Sequence, residues 1–336
     1  MPEILFIKSS NTTFIKNDEI IIKKYFSVSS FLFTPSKKFI NLMQSQLEMI
    51  SWLLKNIWSC KIVYIWFADY HSLLPVLFAR ILGKKSMIVI GGFDVARIPE
   101  IHYGGHLNRI RSIFIRLSLR YASLLLPVSK FTEQELLQIN GKTPRIMIYN
   151  GVNLNIFKRD MSIPKQKMVL SVGLVREKWA FITKGFDLYI EVAKMLPDIR
   201  FLLAGIQDDA LPYLKKLNPG PNVEIYNYLD QKELVLFYNQ ASVYCQFSRH
   251  ESFCLALAEA MLCECVPIIT RNGALPEVIG DTGYIVRYRD AQPIASIVLK
   301  AMEAAQSERN KISRQIELNF SLEKRENHLR QIISSI

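Results

Sequence analysis

A chain of 336 residues, half of them hydrophobic, exceeds one ordinary domain and can bury two cores, so two α/β domains are expected and a disordered or disulfide-stapled miniature is excluded. The net charge of +12 is uneven: residues 1–150 hold 19 Lys+Arg against 9 Asp+Glu, while the remainder is nearly balanced. That asymmetry points to an anionic partner for the N-terminal half, either membrane phospholipid, a phosphorylated lipid or nucleic acid, or else to a soluble face with surplus lysine.

In chain order, Glu3 to Lys8 predicts a short strand, and the polar loop Ser9 to Asn17 follows it where a parallel sheet would hold ligand. The N-terminus lacks the charged, apolar and small-residue succession of a signal peptide, which places the protein in the cytoplasm. Apolar residues from Phe39 to Ile57 recur at spacings of three and four and predict an amphipathic helix. The apolar stretch Ile62 to Leu82 is interrupted by Asp69, His71, Pro75 and Arg80, and reads as strand, loop and helix rather than a membrane span. Strands are expected at Ile62 to Phe67, Ser86 to Ile90, Leu124 to Val128 and Ile146 to Tyr149. Between them, His106 to Tyr121 sets Arg109, Arg111, Arg116 and Arg120 among Ile110, Ile113, Phe114, Leu117 and Leu119. This is either a helix for an anionic bilayer surface or a packed helix with solvated arginines. Thr132 with Glu135 reads as a capping box for the next helix.

The turn Asn150-Gly151-Val152-Asn153 closes this first βαβ-type domain. Strands recur at Met168 to Val172, Arg200 to Ala204, Val223 to Tyr226, Val243 to Phe247, Val266 to Thr270 and Tyr284 to Val286, the pattern of a second doubly wound domain. The segment from Ser321 to Ile336 has helical periodicity and is expected to brace the first domain. Five cysteines, four of them within Cys245 to Cys265, suit reduced thiols in a core and lack the paired spacing of a zinc site. No Gly-x-Gly-x-x-Gly follows a strand, and nothing in the chain requires a metal.

The stretch that organises the second domain is His250 to Met261, in which Glu251 and Glu259 bracket an apolar run between two strands. A helix starting near Phe253 would point unpaired backbone N–H groups and a positive dipole end into the crevice at the strand ends, where phosphate binds. Both carboxylates could then flank one ligand.

Taken together, these residues resemble the glycosyl transferases group 1 family, the family-four retaining glycosyltransferases of GT-B fold. The resemblance rests on Asn150 to Asn153 with Phe157, Gly173 with Arg176 and Lys184-Gly185, Ala204-Gly205, and Ala241 to Ser248. It continues through Glu251-x7-Glu259 with Ala260-Met261, then Val266-Pro267, and Gly273 followed by Pro276-Glu277-Val278. It implies an α/β GT-B fold with two Rossmann-like doubly wound domains facing a central cleft. Residues 1–150, with the helix of about 320–336 packed back on them, would bind the acceptor, and residues 151–319 the nucleotide-sugar donor. Arg176 and Lys184 would stabilise the leaving diphosphate, Glu251 would contact the sugar hydroxyls, and Glu259 the ribose. The backbone from Ser252 through Phe253 and Cys254 to Leu255 would meet the phosphates, with Gly173 beside them. Tyr228, Leu229 and Leu234 would lie near the base.

Three departures mark this chain. Ser9, Ser10, Asn11 and Thr12 stand where the family often has a glycine pair, and Cys254 replaces a family glycine. Gly91-Gly92-Phe93-Asp94 stands where the family often has a histidine, which makes Asp94 an acceptor base, a sugar ligand or a turn residue. Ser9, Ser10, Asn11, Asp94 and His102 are the acceptor-side candidates, with Asp69, His71 and His106 behind them. The expectation is a retaining, metal-independent hexosyltransferase using a UDP- or GDP-sugar and a glycan or lipid-linked acceptor, cytoplasmic and peripheral to an anionic membrane face, with no cofactor and no nucleic acid. The rival readings are a nucleotide-sugar epimerase of GT-B-like fold, a noncatalytic nucleotide-sugar-binding protein, and a nucleic-acid binder.

Overall fold

A computed structural model describes residues 3–36, 38–288 and 290–336. The chain divides into two compact units, an N-terminal unit of residues up to Asn150 together with Lys324–Ile336, and a C-terminal unit of Gly151–Glu323.

The N-terminal unit is built on a parallel sheet of β1 (Ile4–Lys8), β2 (Val28–Leu32), β3 (Ile62–Trp66), β4 (Lys85–Ile90) and β5 (Leu124–Pro127), in the order β2-β1-β3-β4-β5. The inner strands are continuous apolar runs because helices cover both faces of a parallel sheet. Their core includes Leu5, Ile7, Val63, Ile65, Ile88 and Ile90, closed by Met49, Leu53, Ile115 and Leu119 from the helices Phe39–Asn56 and Arg109–Tyr121. β2 was not expected: as an edge strand with two serines it lacks the apolar signal. Ile146 to Tyr149, expected as a strand, is instead an extended segment beside β5, with Ile146 N–H bonded to the Leu125 carbonyl (3.0 Å) and Ile148 N–H to that of Pro127 (2.9 Å). The loop after β1 is also shorter than expected, since a helix already runs over Thr13–Lys23.

The terminal helix Leu322–Ser334 is fixed to this unit by Arg325. Its guanidinium grips the carboxylate of Asp18 at 2.6 and 2.7 Å, and donates to the carbonyls of Ile148 and Tyr149. Asp18 also accepts from the Tyr64 hydroxyl (2.7 Å) and Trp66 Nε1 (2.8 Å), so this buried ion pair is fully hydrogen-bonded.

The C-terminal unit contains β6 (Gln166–Val175), β7 (Arg200–Ile206), β8 (Val223–Tyr226), β9 (Ala241–Gln246), β10 (Val266–Thr270) and β11 (Tyr284–Val286). They form one parallel sheet in the order β11-β10-β9-β6-β7-β8. The order reverses between β6 and β9, and an open α/β sheet holds its ligand in the crevice outside the strand carboxyl ends at such a point. In the N-terminal unit the equivalent point lies between β1 and β3.

Candidate active site

The residues at the β6/β9 switch point are brought together by glycines. The register of β6 against β7 shifts between Val172 and Val175. Gly173 lies in that irregularity, where a Cβ would stand 3.1 Å from the Phe186 ring and 3.5 Å from the Lys184 stem. Its missing side chain leaves Lys184 room along the strand end. Lys184 is the last residue of the helix Lys178–Lys184, and Gly185, at φ 72°, turns the chain directly into the helix Phe186–Met195. A Cβ on Gly185 would collide with the Phe247 carbonyl. That close approach sets Lys184 beside the loop that follows β9.

Glu251 is in that loop. Lys184 Nζ donates to its Oε2 at 2.6 Å, and Ser248 Oγ donates to the same oxygen at 3.2 Å. A buried polar row stands behind: Gln246 Nε2 donates to Ser248 Oγ (2.7 Å), and the Tyr244 hydroxyl to Gln246 Oε1 (2.9 Å). The backbone of Glu251 is held as well, since Ala274 N–H donates to its carbonyl (2.7 Å) and Gly273, at φ 67°, packs where any Cβ would strike that carbonyl. With side chains only 27% and 14% exposed, the Lys184–Glu251 pair is largely buried, so its desolvation offsets much of its attraction and it is weak evidence of added stability. Its position, half open at the strand ends, suits it to a ligand. Burial alone would lower the Lys184 ammonium, but the Glu251 carboxylate outweighs it and holds its pKa above the ordinary lysine value.

The following helix runs over Leu255–Leu262 and begins two residues later than expected, because Cys254 takes the left-handed conformation (φ 74°). Ser252, Phe253 and Cys254 therefore form a buried turn, with Phe253 edge-on to Phe320. Among the described residues no side-chain hydrogen bond caps this helix, and although the Leu257 N–H faces the Cys254 thiol, those of Leu255 and Ala256 keep their donor capacity. Glu259 follows one turn on. The Tyr238 hydroxyl donates to its carboxyl at 3.2 Å, yet burial raises its pKa to about 7. Burial also pushes the Cys254 thiol upward, which leaves it without thiolate character.

Residues 155–318, which include all of these groups, match the family model described as glycosyl transferases group 1. Over this segment the chain is similar to the glycosyl transferases group 1 family. The whole chain is similar in fold to sucrose-phosphate synthase from Thermosynechococcus elongatus, with a TM-score of 0.80, 16% identity, and coverage of 99% of this chain and 98% of that one. It is similar to Anabaena HepE in complex with UDP and glucose, with a TM-score of 0.77, 16% identity and full coverage of both chains. These likenesses establish the fold as GT-B, with two Rossmann-like units. In sequence it is 29% identical over 223 residues to an uncharacterized 41.2 kDa protein in the cps region of Klebsiella pneumoniae, covering 65% of this chain and 53% of that protein. The chain spans about half the length of the first curated relatives it matches.

Within the group 1 segment, not every expected site residue joins the Lys184–Glu251 cluster. Arg176 is exposed past the end of β6, and among the described residues no hydrogen bond or ion pair links it to Lys184 or Glu251. Tyr228 is exposed and Leu229 buried in the loop after β8, two strands from β6. Leu234 lies on the helix Gln231–Gln240, one turn from the Tyr238 that bonds Glu259. Ser9, Ser10 and Asn11 sit at the carboxyl end of β1, and His102 is an exposed left-handed residue (φ 50°).

Asp94 requires a correction. It is fully buried, and its carboxylate accepts N–H bonds from Ala68 (3.1 Å), Gly91 (3.3 Å) and Gly92 (2.8 Å), so of its three expected roles the structure gives it that of the turn residue, stapling the loop after β4. Burial raises its pKa to about 6 against those bonds. The capping box is also corrected: Ser129 caps the helix Lys130–Ile139 by accepting from Thr132 N–H, and Glu135 lies a turn further in. Glu135 is half-buried, and burial plus the Asp94 carboxylate raise it to about 8. Sequence reasoning missed this paired environment, and it missed Gln246 and Ser248, whose bonds run between near neighbours of the strand end and loop, and Tyr238, which reaches Glu259 from another helix. Among the described residues, no group of three or more His, Cys, Asp or Glu is placed to hold a metal.

Proposed function

We propose that the protein is a retaining glycosyltransferase that binds a UDP-sugar at the β6/β9 crevice and moves its hexose-type sugar to an acceptor on the N-terminal unit, without a metal ion. The observation that carries this reading is the Lys184–Glu251 pair beside the uncapped start of the helix Leu255–Leu262. When the bond from the anomeric carbon to the diphosphate breaks, its electron pair goes to the leaving oxygen. Lys184 and the helix N–H groups are the positive charge available there. Glu251 and Glu259 accept from the hydroxyls of the sugar and ribose. The acceptor oxygen bonds the anomeric carbon as the phosphate leaves, and its proton passes to the departing phosphate oxygen. The complex of HepE with UDP and glucose favours uridine over guanosine as the base.

A thermal-shift panel of UDP- and GDP-sugars in EDTA tests this, because a ligand of the native state raises the melting temperature. A shift confined to UDP compounds is expected. A shift only after a divalent ion is restored would remove the metal-independent part, and no shift under any condition would remove the donor assignment.

The acceptor is proposed to be lipid-linked and met at an anionic membrane face. On the helix Arg109–Tyr121, Ile110 and Ile113 are more than half exposed beside the exposed Arg109, Arg116 and Arg120, a basic-apolar face suited to a headgroup layer. Arg111 instead pairs with Asp69 (3.1 Å) and stacks over Tyr70 and Phe93. Among the described residues no helix is long and apolar enough to cross a membrane. Vesicles with anionic lipid should sediment the protein and neutral ones should not; equal binding to both would remove this role.

A further inference from the structure

The two residues of the donor-site pair come from different segments, and a third segment locks them together. Arg249 N–H donates to the carbonyl of Thr183 (2.8 Å), joining the residue two before Glu251 to the residue one before Lys184. Its side chain continues the same connection. Arg249 Nη2 reaches Asp187 Oδ2 at 3.0 Å, in the first turn of the helix that begins just after Gly185, and Arg249 Nε donates to the Tyr288 hydroxyl at 2.8 Å. The Tyr288 hydroxyl in turn donates to Asp187 (3.0 Å), and the guanidinium lies 4.5 Å from the centre of the Tyr288 ring. A planar fork that meets a carboxylate, a phenol oxygen and a ring face at once is a geometry lysine cannot reproduce. The loop is anchored on its other side too, where Thr270 Oγ1 (2.7 Å) and Asn272 Nδ2 (3.1 Å) both donate to the Ser248 carbonyl.

We propose that Arg249, with Asp187 and Tyr288, is a positioning residue that sets the separation of Lys184 and Glu251 and so the affinity of the site for the diphosphate of its ligand. Arg249 touches neither the ligand nor the reacting atoms; it acts through Lys184 and Glu251. An isolated ion pair of this exposure would matter little. Here the three members belong to the loop after β9, which carries Glu251, to the helix Phe186–Met195, which starts two residues after Lys184, and to the segment after β11.

The inference rests on the donor-site reading, and titration calorimetry with UDP separates the two. Arg249→Lys and Asp187→Asn should each weaken UDP binding about tenfold or more, and Tyr288→Phe, which keeps the ring, should weaken it less. In a Lys184→Ala background, Arg249→Lys should weaken UDP no further, because the group it positions is gone; a residue that served only the fold would not show that dependence. The titrations are run well below each variant's melting temperature, where nearly all molecules are folded and the apparent dissociation constant equals the intrinsic one, so lost stability does not imitate the result. Wild-type UDP affinity retained in both Arg249→Lys and Tyr288→Phe overturns the positioning role, as do penalties that multiply with Lys184→Ala. Absence of UDP binding by the unaltered chain overturns the donor site and this role with it.

Discussion

Lys184 and Glu251 are a coupled pair, so removing one leaves the other's charge partly buried without its partner. The consequences are unequal. Lys184→Ala leaves a carboxylate facing the position proposed for the diphosphate, whereas Glu251→Ala leaves an ammonium there. Lys184→Ala should therefore weaken UDP binding and transfer together, while Glu251→Ala should spare UDP binding and lower transfer. A loss of roughly a hundredfold in transfer is expected for each, the scale of removing one preorganised stabilising group. Steady-state rates and UDP titrations on both variants check this, and equal UDP affinities would remove the assignment of Lys184 to the phosphate. Each residue was singled out in the sequence, Glu251 by its place between a strand and a helix and Lys184 by the family resemblance, but their contact, 67 residues apart along the chain, was not. Asp94 was less legible. Its neighbours Gly91 and Gly92 suggested a loop open to ligand, but the carboxylate turns inward to bond their N–H groups and that of Ala68, a partner from the adjacent strand end.

The site depends on connections between elements that are shorter than any side chain would allow. Gly273 follows β10 and stands against the Glu251 carbonyl at φ 67°, and a methyl group there meets both a left-handed backbone and a filled space. Gly273→Ala should cost about 1–2 kcal/mol from the conformation alone, with more from the displaced loop. Gly141→Ala is the control, because its Cβ would meet nothing closer than 3.8 Å and its backbone is not left-handed. Thermal melts of the two variants should separate clearly, and the UDP affinity of Gly273→Ala should fall because the Glu251 loop moves; identical melts would show that the loop yields without strain. The same elements show which parts of the fold could be read in advance. Strands buried on both faces, such as Ile62–Trp66 and Val266–Thr270, announce themselves as apolar runs. β2, with its serines at a sheet edge, does not. Ile146 to Tyr149 is an intermediate case, an apolar run that bonds its backbone to Leu125 and Pro127 of β5 but forms only an isolated bridge there instead of a full strand.

Across the molecule, buried carboxyl groups give stability a dependence on pH whose sign follows from their shifts. Glu135 is raised from 4.5 to about 8 and Asp94 from 3.8 to about 6, so the folded chain holds these protons more tightly than the unfolded chain does. Their contribution is complete below the unfolded values and is lost as pH rises through the folded ones. The histidines work the other way. Burial lowers His71, His106 and His250 below 6.5, so they weaken the fold as pH falls under that value and are neutral in both states well above it. Glu19, held at about 2 by Lys23, Lys8 and Ser30 against its partial burial, titrates in the folded state well below this range. From 6.5 to about 8 Glu135 is the carboxyl whose folded-state titration fills the upper part, while Glu259, raised to about 7, the end of the Asp94 titration and the unfolded histidines act in the lower part. Across this interval the melting temperature of the wild-type chain should fall. Glu135→Gln keeps the shape and hydrogen-bonding capacity of a protonated carboxyl but has no proton to lose, so its melting temperature should fall by less, and the two curves should diverge as pH rises. Parallel curves would mean that Glu135 ionises near its ordinary value and that the Asp94 carboxylate does not act on it.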